Sequence, residues 1–281
     1  MSEGYQRLFA AGKLIRLIDK ERKTAKIVGT KDAFCRRNFS SYRRNGEWSP
    51  ELEDEWAERE NEYLPHLRRL NAGARDEAAR QALKPIAALH YVRSYAFEEI
   101  FGRIHEQIRT RRLSDFVENP QLASRFRSQM GREPEPGELE EMVETVFTEG
   151  KADRTFFVER MADGYNKTLD LLEPHHVQLI WPLKPKVDQF VFGDLPLVHW
   201  SKAGVSALGG VALGDAERVF LPIGPSLACL FTVNPVADGG ISRNQVHYLN
   251  GQTWRAASRH VGAHPSCDVK RALNQWDLRL A

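Results

Sequence analysis

The sequence predicts an α+β protein: a helical middle segment packed on a small mixed or antiparallel sheet, with a C-terminal helix. Three observations carry this expectation. Residues 1–45 contain an alternating, β-like stretch. Residues 46–172 carry apolar residues at helical spacing, and residues 173–240 hold short apolar runs bounded by turn residues. Residues 241–281 read as a terminal helix and tail. Segregated elements of this kind mark α+β rather than α/β, and 1–281 reads as one domain.

The elements follow in order. Leu14 and Ile18 alternate with Ile15 and Leu17 in a first strand, Asp19 to Lys23 is a charged turn, and Ala25 to Val28 returns. A two-stranded hairpin needs something to lie on. Asn45-Gly46 is a turn signal. Ser49 then suits an N-cap and Pro50 a first helical position, opening a helix with Leu52, Trp56, Tyr63, Leu67 and Leu70 on one stripe. Asn71-Ala72-Gly73 ends it. One long helix is expected from about Arg80 to Arg112, with Pro85 near its start. An acidic helix over Glu138 to Phe147 follows a Pro-bearing loop. Asp153 suits the cap of a helix over Arg154 to Leu172, which Pro174 stops. His176–Leu183, Gln189–Gly193, Leu197–Trp200, Arg218–Ile223 and Leu227–Val233 read as buried strands, the last two joined by a Gly224-Pro225-Ser226 hairpin. Ser242 caps a final helix that runs to about Val261.

The totals exclude several classes. The chain has 281 residues, 42% hydrophobic and 28% charged, the balance of an ordinary globular protein. A net charge of +2 argues against a nucleic-acid footprint spread over the whole molecule, and leaves local basic clusters open. Cys35, Cys229 and Cys267 show no zinc-ligand spacing and suit a reducing setting. No signal-peptide run and no membrane-length apolar window occurs. The expectation is a soluble, cytoplasmic protein that does not engage a membrane.

Two polar residues interrupt the apolar face of the long helix. With Ile86 as the zero of a helical wheel, Leu89, Phe97, Ile100, Ile104 and Ile108 fall within about 60° of it, and so do His90 and Arg93. A guanidinium and an imidazole in a core stripe need partners.

Several segments resemble one family in their order along the chain. They are Tyr5-Gln6-Arg7-Leu8-Phe9-Ala10, the helix around His90 to Arg93, Phe190-Val191-Phe192-Gly193-Asp194-Leu195-Pro196, Leu221-Pro222-Ile223-Gly224-Pro225-Ser226, and Leu249-Asn250 followed by Ala256-Ala257-Ser258-Arg259-His260-Val261. Together they resemble the bacterial domain of unknown function 4238. That family shows a strand ending in Ser-Asp-Asn-Pro, a Pro-Leu-Ser-Pro turn, and a last helix with Asn and then Ala-x-Arg. Here the first has become Gly193-Asp194-Leu195-Pro196 and the second Pro222-Ile223-Gly224-Pro225. The His-Tyr-x-Pro stretch that usually precedes the first segment is absent. The resemblance implies a fold and a set of positions, and no substrate.

Four residues are the candidates for a catalytic site: His90, Arg93, Asp194 and Asn250. Arg93 would hold an anionic group through its planar fork, and His90 would be the general acid or base. Asp194, at a strand end before Pro196, is either a turn-former, an ion-pair partner of Arg93 or a metal ligand. Asn250 lies on the apolar stripe of the last helix and offers donors and an acceptor. Each also has a structural reading as a polar tie in the core. His260 and His264 have the i, i+4 spacing of zinc ligands on a helix, but they lack the partner Glu and sit where that helix ends. His175-His176 begins a strand and is expected to be exposed. Arg36, Arg37, Arg43 and Arg44, interleaved with Phe34, Phe39 and Tyr42, have the composition of a nucleic-acid contact. Two functions are therefore expected: a hydrolase acting on an anionic, phosphodiester-like substrate, or a non-catalytic module that binds nucleic acid or protein. The cofactor is unknown from the sequence.

Overall fold

The computed structural model describes residues 2–34, 42–44, 47–49, 51–149, 154–201, 204–205 and 212–268. The chain opens with a short helix, α1 (Glu3–Gln6), capped by the Ser2 side chain, and a 3-10 turn over Arg7–Phe9. Strands β1 (Leu14–Asp19) and β2 (Thr24–Gly29) form the expected hairpin, with Leu14 opposite Gly29 and Asp19 opposite Thr24. A small hairpin follows, β3 (Tyr42–Arg44) with β4 (Glu47–Ser49), before α2 (Glu51–Asn71).

The expected single long helix is three helices: α3 (Glu77–Gln81), α4 (Leu83–Val92) and α5 (Tyr95–Val117). Asp76 caps α3 through the Ala79 amide at 3.0 Å. Pro85 sits in the first turn of α4, where the backbone N–H groups have no intrahelical acceptor to lose. The break between α4 and α5 is made by Ser94. Its hydroxyl accepts from the Phe97 amide at 3.1 Å, starting the next helix, and donates to the Tyr91 carbonyl at 2.6 Å. An unanticipated helix, α6 (Pro120–Met130), starts at an Asn119 cap with Pro120 in its first turn and ends at Gly131, whose φ of 70° is left-handed. Helices α7 (Glu138–Glu149) and α8 (Arg154–Leu172) lie where the periodicity places them. Asp153, the expected cap of α8, lies outside the described residues, as does Pro50.

The β-rich part then supplies β5 (His176–Pro182), β6 (Phe192–Gly193), β7 (Val198–Ser201), β8 (Gly204–Val205), β9 (Arg218–Gly224), β10 (Leu227–Thr232) and β11 (Gly239–Ile241). The last helix, α9 (Arg243–Ala256), has a full capping box between Ser242 and Gln245. It stops five residues short of the expected end, and His260–Ala263 is a strand, β12.

Among the described residues the strands make a sheet of order β2-β1-β12-β6 and a second of order β11-β5-β10-β9-β7-β8. Neighbours are antiparallel except β11, which runs parallel to β5. The first hairpin thus lies beside a strand from the far end of the chain, with Arg16 opposite Ala263 and Asp19 opposite His260. Ile15 and Leu17 point into the main core with Phe9, Leu67, Ile86, Leu89, Phe190 and Phe220. Ile18, on the other face, joins Val191, Trp254, Ala257, Val261 and Ala263 in a second cluster under α9. Full burial of each such side chain contributes roughly 1.5–3 kcal/mol. The ring of Phe192 lies against Gly262, where an added Cβ would sit 2.3 Å from it, so the β6–β12 pairing needs glycine there. No described helix is long and apolar enough to cross a membrane.

Candidate functional site

Two of the four sequence candidates, Asn250 and Asp194, meet on the segment from Gln189 to Pro196. Asn250, on α9 and 4% exposed, holds it with both ends of its amide. Its nitrogen donates to the Gln189 carbonyl at 2.8 Å, and its oxygen accepts from the Val191 amide at 3.1 Å. This is the pairing a neighbouring strand would offer, supplied by a side chain. It explains a polar residue on an apolar helix stripe.

Asp194 follows immediately and is 7% exposed. Its Oδ1 accepts from the Ser258 amide at 2.7 Å, and its Oδ2 accepts from the Arg259 and His260 amides at 2.7 and 2.9 Å. The Asp194 amide in turn donates to the His260 carbonyl at 3.0 Å. Three convergent N–H groups satisfy the buried carboxylate with charge-assisted hydrogen bonds. Lys20 closes the group from β1's turn. Its ammonium donates to the Ala257 carbonyl and lies 5.5 Å from the Trp254 ring centre. Burial draws the Lys20 pKa down, opposed by the Asp194 charge.

Asp194 is what ends α9 at Ala256. Ala257 and Val261 continue the apolar spacing of the helix, but Asp194 captures the backbone of residues 258–260 and turns the chain into β12. His260 consequently opens a strand that His264 follows, and four extended residues span up to about 13 Å rather than one helical turn. His260 approaches Asp19 at 3.9 Å, and His264 pairs with Ser266 at 2.7 Å. Among the described residues no group of three or more His, Cys, Asp or Glu could hold a metal ion.

His90, on α4, is 2% exposed. Its ring packs 4.3 Å from the Tyr5 ring, which meets Phe192 edge-on at 5.8 Å. The Tyr5 hydroxyl donates to the Pro222 carbonyl on β9. Segments far apart in sequence therefore meet in one buried knot. Burial first, then the Arg93 charge, pushes the His90 pKa well below its usual value. The His90 Nε2 is buried with no hydrogen-bond partner among the described residues.

Arg93, just past the end of α4, turns the other way. It pairs with Glu60 at 2.5 Å and with Glu53 at 3.5 Å, both on α2. Glu53, Trp56 and Glu60 occupy i, i+3 and i+7 of that helix and share its inner face. Glu60 is 8% exposed and Trp56 fully buried. These two carboxylates are partners that sequence reasoning missed, although the i, i+7 spacing around Trp56 was there to read.

Asn250 and Asp194 thus both hold the β6 segment, which His90 meets only through the Tyr5 ring. Arg93's hydrogen bonds go to α2, and Asp194's to the backbone after α9. Of the basic candidates, Arg36 and Arg37 lie outside the described residues. Arg43 and Arg44 lie in β3 with side chains that are not described. His176 is exposed and His175 half-buried. Cys229 is buried in β10, and burial pushes the Cys267 thiol up to about 11.

The fold and these contacts define an α+β protein whose polar residues in the core stitch remote segments together. Over residues 5–266 the chain matches the model of the DUF4238 family, described as a protein of unknown function, and it belongs to that family. No curated protein and no solved structure matches it.

Proposed function

We propose that this chain is a non-catalytic binding module whose partner is nucleic acid, met through the basic segment that holds Arg36, Arg37, Arg43 and Arg44. The observation that carries this reading is a charge asymmetry. Residues 1–44 hold twelve Lys and Arg against four Asp and Glu, a surplus of eight, where the whole chain has a surplus of two. A local surplus of that size attracts polyanions even on a near-neutral protein. The polar candidates support it from the other side, since the hydrogen bonds of Arg93, Asp194 and Asn250 already go to the protein itself.

Fluorescence anisotropy with labelled single-stranded RNA and DNA tests the proposal. Binding is expected at low salt, falling steeply as salt rises, and weakened when the four arginines are replaced by alanine. A protein that is not retained on a polyanion column at low salt overturns it.

One observation favours hydrolysis of an anionic substrate instead: buried His90 lies three residues from Arg93, whose Nε is buried with no hydrogen-bond partner among the described residues. That reading requires the Glu53 contact, the longer of the two, to open to substrate. A folded Arg93→Ala protein that loses a phosphodiesterase activity present in the parent would establish it.

A further inference from the structure

We propose that the edge strand β2 and its flanking turns extend the nucleic-acid surface beyond the arginine segment and track the phosphate backbone. The inference rests on the nucleic-acid reading above.

Strand β2 is the outer strand of its sheet and pairs with β1 alone among the described residues. Residues Thr24 to Ile27 are all exposed. Along this edge stand Arg22 and Lys23 in the turn before the strand, Lys26 within it, and Lys31 just after it. Lys13 joins Lys31 at the same end, because the Thr30 amide donates to the Lys13 carbonyl at 2.9 Å. These five cations are all exposed. The exposed carboxylates on the hairpin and its turns are Glu21 and Asp32, while Asp19 is partly covered and engages the Arg22 amide.

Three features of this edge fit a phosphate backbone. Six strand residues span about 20 Å, the length of several consecutive phosphates. An open edge presents backbone N–H groups as well as side chains, and both kinds of donor serve phosphate contacts. Finally, the Lys31 end of the row is anchored to the core, where Phe34 packs 5.1 Å from Phe192. The competing account is that lysines on an edge strand only prevent edge-to-edge association. That account predicts no effect on nucleic-acid affinity.

The experiment compares the full chain with a Lys13→Gln, Lys26→Gln, Lys31→Gln triple variant and a Lys→Arg triple variant at the same positions. Labelled single-stranded oligonucleotide is the probe, titrated across a salt series. Three lost phosphate contacts are expected to weaken binding roughly a hundredfold at about 0.1 M salt and to lower the salt slope by about 2. The arginine variant is expected to bind like the parent. Parent binding with an unchanged glutamine variant overturns this inference and leaves the arginine segment standing. Absence of binding by the parent overturns the nucleic-acid reading itself. Tighter binding to phosphatidylserine vesicles than to oligonucleotide also overturns the inference. The substituted side chains are exposed, and an unchanged thermal midpoint is the control for folding.

Discussion

Replacing Asp194 by asparagine changes one oxygen for an amide and tests how the C-terminal part is held. The carboxylate accepts three backbone hydrogen bonds, at 2.7, 2.7 and 2.9 Å, from Ser258, Arg259 and His260. Hydrogen bonds to a charged group contribute about 1.5–3 kcal/mol each, and neutral ones about 1. Asparagine can keep its oxygen where Oδ2 accepts two bonds, but its NH₂ then faces the Ser258 amide, donor against donor. The loss is one bond outright and the charge assistance of the other two. Ser258 and Arg259 are themselves exposed, so water compensates part of this. The net destabilisation is about 2–3 kcal/mol, which for a chain of this size lowers Tm by roughly 4–12 °C. Thermal unfolding by circular dichroism measures it. Hydrogen exchange adds the specific signature, early loss of protection at residues 258–260 and in β12. An asparagine variant with the parent's Tm and full protection there would show that the carboxylate does not end α9, and the account of that turn would fail.

Two further expectations rest on the other buried groups. His90 has a folded pKa well below its unfolded value near 6.5. The unfolded chain therefore binds a proton that the native state refuses, and stability falls by up to about 1.4 kcal/mol per pH unit as pH drops below about 6.5. His90→Leu is expected to flatten that part of the stability profile in urea titrations from pH 7 to 5; a profile as steep as the parent's would show that other groups set it. Arg93→Ala leaves Glu60 nearly buried without its cation and is expected to cost about 3 kcal/mol. Adding Glu60→Ala should recover at least about 1 kcal/mol, and a strictly additive double-mutant cycle would mean that the pair is not coupled.

Local chemistry made much of the fold legible. The turn Gly224-Pro225-Ser226 joins β9 and β10 as its residue types demand, with a single register shift at Leu227–Ala228. The helix stripe of Leu52, Trp56, Leu67 and Leu70 is buried as its spacing requires. Some signals were present and outweighed. Ser94 is a capping residue, yet the apolar wheel runs through it without interruption and suggests one helix. Asn119-Pro120 and Gly131 bracket α6 in the same readable way. Other features had no local signal at all. Strand β11 is three residues long, and Arg80 helps position its approach by pairing with Asp238, which also accepts from the Leu179 amide at 2.9 Å.

The candidate site divides along the same line. That His90, Arg93 and Asn250 sit on apolar faces and need partners follows from periodicity, a property of neighbours in sequence. Which partners they take depends on where Glu60, Tyr5 and the carbonyl of Gln189 arrive in space. The sharpest case is the end of α9. Residues 257–261 carry helical spacing and taken alone would continue the helix, but a carboxylate some sixty residues earlier binds their amides and makes them a strand. Sequence determined most of the elements, the segregated α+β order and the polar residues in need of partners, because those depend on short-range spacing and on the burial of apolar faces. Only the tertiary structure decided that the first hairpin pairs with the last strand and that Arg93 faces α2 rather than Asp194. Pairings between residues so far apart in sequence depend on the packed whole, and no local pattern records them.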